Sequence, residues 1–136
     1  MNKPTRPYMK ADKLGTAYDC PRGWYPLVQT FCEKVDSMMK EDNDTLSFSP
    51  WNDFEVTRVK QKWFRLRIYA SGVPERREDE YHGLLSHLHE MSARTCANCG
   101  AENEKPAKAN RVCYCSEECH TEELDSRFPR RKSKKI

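Results

Sequence analysis

Apolar residues recur along the chain with two different periods, and each period predicts an element. Trp24, Leu27, Val28, Phe31, Val35 and Met38 or Met39 are spaced by three, four and seven, which gathers them on one side of a helix. Glu33, Lys34, Asp36 and Lys40 fall outside that stripe. Pro26 suits the first turn, where a missing N–H costs little. The run Asp42, Asn43, Asp44, Thr45 favours a turn, so the helix is expected to stop near Glu41. Further on, the period changes to two. Phe64, Leu66, Ile68 and Ala70 alternate with Arg65, Arg67 and Tyr69, and Val56, Thr57 and Val59 supply strand formers before them. This predicts an antiparallel hairpin turning near Lys60 to Lys62, although no glycine marks the bend. The charged stretch Glu75 to Glu80 then leads into Tyr81, Leu84, Leu85, Leu88 and Met91, a second amphipathic helix with its acids at the favourable end of the dipole. Gly83 costs that helix about 1 kcal/mol relative to alanine, and the pattern outweighs it.

The segment Met1 to Pro21 has no such period. Pro4, Pro7, Gly15 and Pro21 among polar residues read as an extended or poorly ordered arm. With 136 residues there is room for one modest domain, and no apolar run is long enough to cross a bilayer or to serve as a signal peptide. The expected organisation is a flexible N-terminal arm over 1–21 and a helix–hairpin–helix core over 22–95. A metal-binding module over 96–126 and a basic tail over 127–136 follow. Its fold class is α+β, two amphipathic helices around a short antiparallel hairpin with a zinc knob.

Cysteine adds the chemistry. There are seven, and five fall between Cys96 and Cys119. An odd, clustered set points to a reducing compartment and a structural metal rather than to a disulfide framework. Cys96-Ala97-Asn98-Cys99-Gly100 is a knuckle in which two thiolates can share one metal. Cys115 and Cys119, four apart, can face one point from the first turn of a helix, with Ser116 as its N-cap. Cys96, Cys99, Cys115 and Cys119 are therefore the expected ligands of one structural zinc ion. Cys113 is an alternative to Cys115, and His120 is a substitute in a mixed site. Four protein ligands leave no position for a catalytic water.

Charge changes the picture of the surface. The formal net charge is +3, but Arg127, Arg130, Arg131, Lys132, Lys134 and Lys135 carry it; without them 18 basic residues face 21 acidic ones. The hairpin supplies a second basic group: Arg58, Lys60, Lys62, Arg65 and Arg67, with Trp63 and Tyr69 among them. Arginine and aromatic side chains on one sheet face can stack bases and neutralise phosphate. They can equally form a hot spot for an acidic protein, or simply cover the solvated side of the sheet. No phosphate-binding glycine loop, serine nucleophile motif or paired carboxylates accompany them. His82, His87 and His89 read as a solvated helix flank, Cys32 as a packing residue, and Cys20 lies apart from the cluster.

The segment Cys96-x2-Cys99 followed by Tyr114-Cys115-Ser116-Glu117-Glu118-Cys119 resembles treble-clef zinc fingers, whose last two ligands come from a helix start. The resemblance implies a treble-clef-like knob that serves protein or nucleic-acid interaction without activity of its own. Over a longer span, three segments resemble a group of small uncharacterised bacterial and bacteriophage proteins. They are Cys20-Pro-Arg-Gly23-Trp24-Tyr25-Pro-Leu27-Val28, Val59-Lys60-Gln-Lys62-Trp-Phe64-Arg-Leu66-Arg67-Ile68-Tyr69 and Ser92-Ala-Arg94-Thr95-Cys96-Ala-Asn-Cys99-Gly100. Here Trp63-Phe64-Arg65 stands where that group carries a turn glycine. The resemblance implies a mobile-element or bacterial origin, the cytoplasm of a bacterial host, and no reaction. The expected function is that of a non-enzymatic, zinc-stabilised binding protein for nucleic acid, gripping it with the hairpin face and the tail. The alternative is a phage or prophage effector that binds a host protein, for example one of defence. Neither a membrane nor a small-molecule substrate is expected as a partner.

Overall fold

The computed structural model describes residues 2–10 and 17–127. Its elements run β1 (Tyr18–Asp19), α1 (Tyr25–Thr45), β2 (Glu55–Lys62), β3 (Arg65–Ser71), α2 (Glu78–Ser92) and α3 (Glu117–Arg127). Single 3-10 turns at Arg22–Trp24 and Glu75–Arg77 lead into α1 and α2. The architecture is α+β, a three-stranded sheet in the order β1-β2-β3 with three helices. Among the described residues no helix is long and apolar enough to cross a membrane.

The predicted stripe of α1 is its buried face: Leu27, Val28, Phe31, Val35 and Met38 all enter the core. They meet Val56 and Val59 of β2, Leu66 and Ile68 of β3, and Tyr81 and Leu88 of α2 in one cluster. Each such side chain removed from water stabilises the fold by about 1.5–3 kcal/mol before chain entropy is subtracted. Tyr81 is the hub, its ring edge-on to Phe31 and to Phe54 at 5.9 Å each.

Three expectations are corrected. The hairpin does not turn at Lys60 to Lys62, because β2 continues through Lys62, which pairs with Arg65. The turn is the two residues Trp63 and Phe64, with φ of 54° and 69°. A two-residue hairpin wants left-handed backbone at both centres, since that twist matches the strands. Here two aromatics adopt it, at a cost of roughly 1–2 kcal/mol per residue. Second, α1 does not stop near Glu41 but runs to Thr45. Asp42 is fully buried there, accepting hydrogen bonds from Trp51 Nε1 at 2.8 Å and from the Arg77 guanidinium at 3.0–3.2 Å. A residue that looks like a turn former is held helical by partners far away in the chain.

Third, the described part of the expected loose arm is built into the sheet. Tyr18 and Asp19 pair in parallel with Val59 and Lys60, and Val56 N–H donates to the Tyr8 carbonyl at 2.8 Å. Met9 is 1% exposed. Asp36 on the outer side of α1 anchors the segment, accepting from the Tyr8 hydroxyl at 3.0 Å and from Arg6 Nε at 2.8 Å. The arm thereby covers an edge of β2 that would otherwise offer unpaired N–H and C=O groups.

Candidate metal centre

The ligating atoms of Cys96, Cys99, Cys115 and Cys119 all lie within 4.8 Å of one another. Two edges of the group are short, 3.6 Å between Cys99 Sγ and Cys115 Sγ and 3.5 Å between Cys115 Sγ and Cys119 Sγ. A tetrahedron of thiolates with metal–sulfur bonds of about 2.3 Å has edges of roughly 3.8 Å, so this donor set fits a metal ion in both kind and spacing. Local structure explains the convergence. The Cys96 carbonyl accepts from Gly100 N–H at 3.0 Å, and Gly100 takes φ of 83°, which closes the knuckle around its two sulfurs. On the other side, Ser116 Oγ accepts from Cys119 N–H at 3.1 Å, the expected N-cap, and fixes Cys119 in the first turn of α3.

The electrostatics of Cys96 and Cys115 suit a cation site. Burial pushes the Cys96 thiol up, but N–H groups of Cys99, Cys115 and Asn98 aimed at its sulfur outweigh burial and bring it down to about 7. The neighbouring sulfurs of Cys119 and Cys99 push Cys115 up to about 12. One thiolate, Cys96, forms readily, while ionisation of Cys115 is opposed by its neighbours. A bound cation removes that opposition, because it makes every additional thiolate favourable.

Cys113 stays outside the group. It is buried, its sulfur accepts from Asn103 Nδ2 at 3.2 Å, and burial together with the adjacent Cys96 pushes its thiol up to about 11. The His120 ring stacks on Tyr114 with centroids 4.4 Å apart instead of turning to the sulfurs. Cys20 and Cys32 are buried elsewhere, Cys32 within the α1 stripe.

What sequence reading missed is the seat of the knuckle. Gly23 N–H donates to the Ala97 carbonyl at 2.8 Å, Trp24 Nε1 donates to the Thr95 carbonyl at 2.9 Å, and Arg22 Nε donates to Asn98 Oδ1 at 2.8 Å. The 3-10 turn before α1 thus lies against the first ligand pair. A side chain at position 23 would place its Cβ 2.0 Å from the Cys96 carbonyl oxygen, so only glycine allows the approach. Cys96 is fully buried and Ala97 belongs to the main core. A glycine next to a tryptophan just ahead of a helix is the trace this seat leaves in the sequence.

The basic hairpin residues divide. The pairs Arg58–Tyr69, Lys60–Arg67 and Lys62–Arg65 lie directly opposite across β2 and β3, on the face away from Val59, Leu66 and Ile68. Arg58, Lys62, Arg67 and Tyr69 are exposed, and Trp63 at the tip is 72% exposed. Asp19 of β1 sits in register beside Lys60. Arg65 is committed: it donates to the carbonyls of Arg111 at 2.8 Å, Ala107 at 3.0 Å and Lys108 at 3.3 Å, tying the hairpin to the loop between the ligand pairs. Of the basic tail, Arg127 ends α3, and Arg130, Arg131, Lys132, Lys134 and Lys135 lie outside the described residues. Compared with known protein families, curated proteins and solved structures, the chain finds no match.

Proposed function

We propose that the protein is a non-catalytic binding module, stabilised by one zinc ion and engaging nucleic acid through its hairpin face. Four soft thiolate donors favour zinc among the common cellular divalent ions, and a sphere closed by protein ligands has a structural role. Cys96, Cys99, Cys115 and Cys119 would hold the ion, which supplies a crosslink and no reactive water. The observation that carries the partner is the register of the hairpin. Lys60 faces Arg67 and Lys62 faces Arg65, and like charges directly opposite destabilise a sheet. Among the described residues, none of Arg58, Lys60, Lys62, Arg65 and Arg67 makes an ion pair. A polyanion relieves that repulsion, and exposed Trp63 and Tyr69 supply stacking surface beside it. The six cations of the tail add sequence-independent phosphate contacts.

Native mass spectrometry and filter binding test the two halves separately. One zinc per chain is expected, lost in Cys99→Ser and Cys119→Ser and kept in Cys113→Ala; equal loss in all three overturns the ligand set. Binding of a labelled oligonucleotide should weaken steeply with salt and fall further in Lys60→Ala/Arg67→Ala. Capture of a host protein that tolerates salt, with no nucleic acid retained, would replace this reading with the effector.

A further inference from the structure

Beside the hairpin tip lies a groove of about 960 Å³, bounded by Phe64 of the turn, the loop 103–112 and the start of α3. We propose that this groove receives single-stranded nucleic acid, phosphates on Lys105, Lys108 and Arg111 and bases against Phe64 and the Tyr114–His120 stack. The inference rests on the nucleic-acid reading above and narrows its substrate to unpaired strands.

The loop wall carries a net positive charge, three cations against Glu104. Lys105, Lys108 and Arg111 are exposed, and among the described residues no ion pair includes them. This wall is held in place: the Arg65 guanidinium takes three of its carbonyls, and Ala107 N–H donates to the Ala93 carbonyl at 2.7 Å. Cations presented by a fixed loop lose little freedom when they bind phosphate. The acids that line the groove belong to α3. Glu123 accepts from the Tyr114 hydroxyl at 2.5 Å, and Glu117 lies 3.9 Å from His120 Nδ1. The groove is therefore polarised, and a phosphate chain follows its loop side.

Aromatic surface decides between strand types. A duplex keeps its bases stacked inside and shows a protein only their edges and its phosphates. Unpaired bases are free to lie on aromatic rings, a contact every base can make. The groove offers such rings beside the cations, and the turn that carries Phe64 also exposes Trp63.

The test uses the full chain with its metal, and fluorescence anisotropy with labelled oligo-dT, oligo-U and a mixed duplex of equal length across a salt series. Both single strands should bind at least about tenfold tighter than the duplex. Substituting Lys105→Ala, Lys108→Ala and Arg111→Ala together should weaken single-strand binding about tenfold. It should also make the slope of log affinity against log salt shallower by about 2, since each phosphate contact on a single strand contributes about 0.7. Duplex bound as tightly as single strands overturns the groove on the wild-type protein alone, without relying on any variant. So does an unchanged salt slope in the triple variant; if Lys60→Ala/Arg67→Ala still abolishes binding, the hairpin reading survives that loss. No binding of any oligonucleotide overturns both.

Discussion

Gly23→Ala is the substitution that asks most of this structure. The added Cβ would lie 2.0 Å from the Cys96 carbonyl oxygen, 2.4 Å from the Ala97 carbonyl carbon and 2.6 Å from the Ala97 oxygen, all backbone atoms. Ordinary C···O contacts begin near 3.3 Å, so the knuckle and the turn must part by more than about 1 Å. That displacement breaks the 2.8 Å bond from Gly23 N–H to Ala97 and strains the 2.9 Å bond from Trp24 Nε1 to Thr95. Leaving one or two buried polar groups unpaired costs about 1–3 kcal/mol each, for a total on the order of 3 kcal/mol. For a chain of this size the melting temperature should fall by roughly 10–15 °C. The same movement pulls Cys96 away from its partners, so a chromophoric chelator should strip the metal faster from the variant than from the wild type. Gly83→Ala is the control. It sits in α2 with nothing within 4 Å of the added atom, and should gain about 0.5–1 kcal/mol from helix propensity alone. A Gly23→Ala protein with wild-type melting and wild-type chelator resistance would refute the view that turn and knuckle form one unit.

Asp42→Ala removes the buried partner of the Arg77 guanidinium but leaves its pairs with Glu41 at 2.8 Å and Glu80 at 2.6 Å, and should cost about 1–3 kcal/mol in urea unfolding. Because Arg77 holds the Asp42 carboxyl below its ordinary range, that stabilisation is present above pH ~4 and is lost as pH falls through the lowered folded value; acid titration of wild type and variant should show the difference vanishing at low pH. Tyr81→Phe should leave stability unchanged or slightly raised, since among the described residues the buried Tyr81 hydroxyl has no hydrogen-bond partner; a loss above about 1 kcal/mol would show that it has one. Trp63→Asn places a residue tolerant of left-handed backbone at φ of 54° and should raise stability by about 1 kcal/mol while weakening oligonucleotide binding. A variant that gains stability and binds as before would remove Trp63 from the interface.

Much of this architecture is written in local periods, and the misses share one cause. The α1 stripe, the inward face of β3 and the two cysteine pairs of the candidate metal centre are legible because each depends on spacing within a few residues. Asp42 is not, because its helical place is fixed by Trp51 and by Arg77, thirty-five positions on. The Trp63–Phe64 turn is hidden because strand registry overrides the preference of both residues. Tyr18 and Asp19 form too short a strand to show a period, and their pairing depends on β2 rather than on their own sequence. Gly23 is visible as a glycine, but its reason, the carbonyl of Cys96, lies in another part of the chain.

The seat of the knuckle also sets an order of events. Trp24 and Thr95 are joined across 71 positions, which closes most of the chain into a ring. Bringing the ends of such a ring together costs about 4 kcal/mol of loop entropy before any contact rewards it. On a ribosome the start of α1 emerges long before the sulfur of Cys119 that completes the clasp. The apolar stripe of α1 gains its cover earlier, once β2, β3 and the Tyr81 and Leu88 side chains of α2 have been made. A metal ion held by the four thiolates would then be captured last, only after Cys119 has been made.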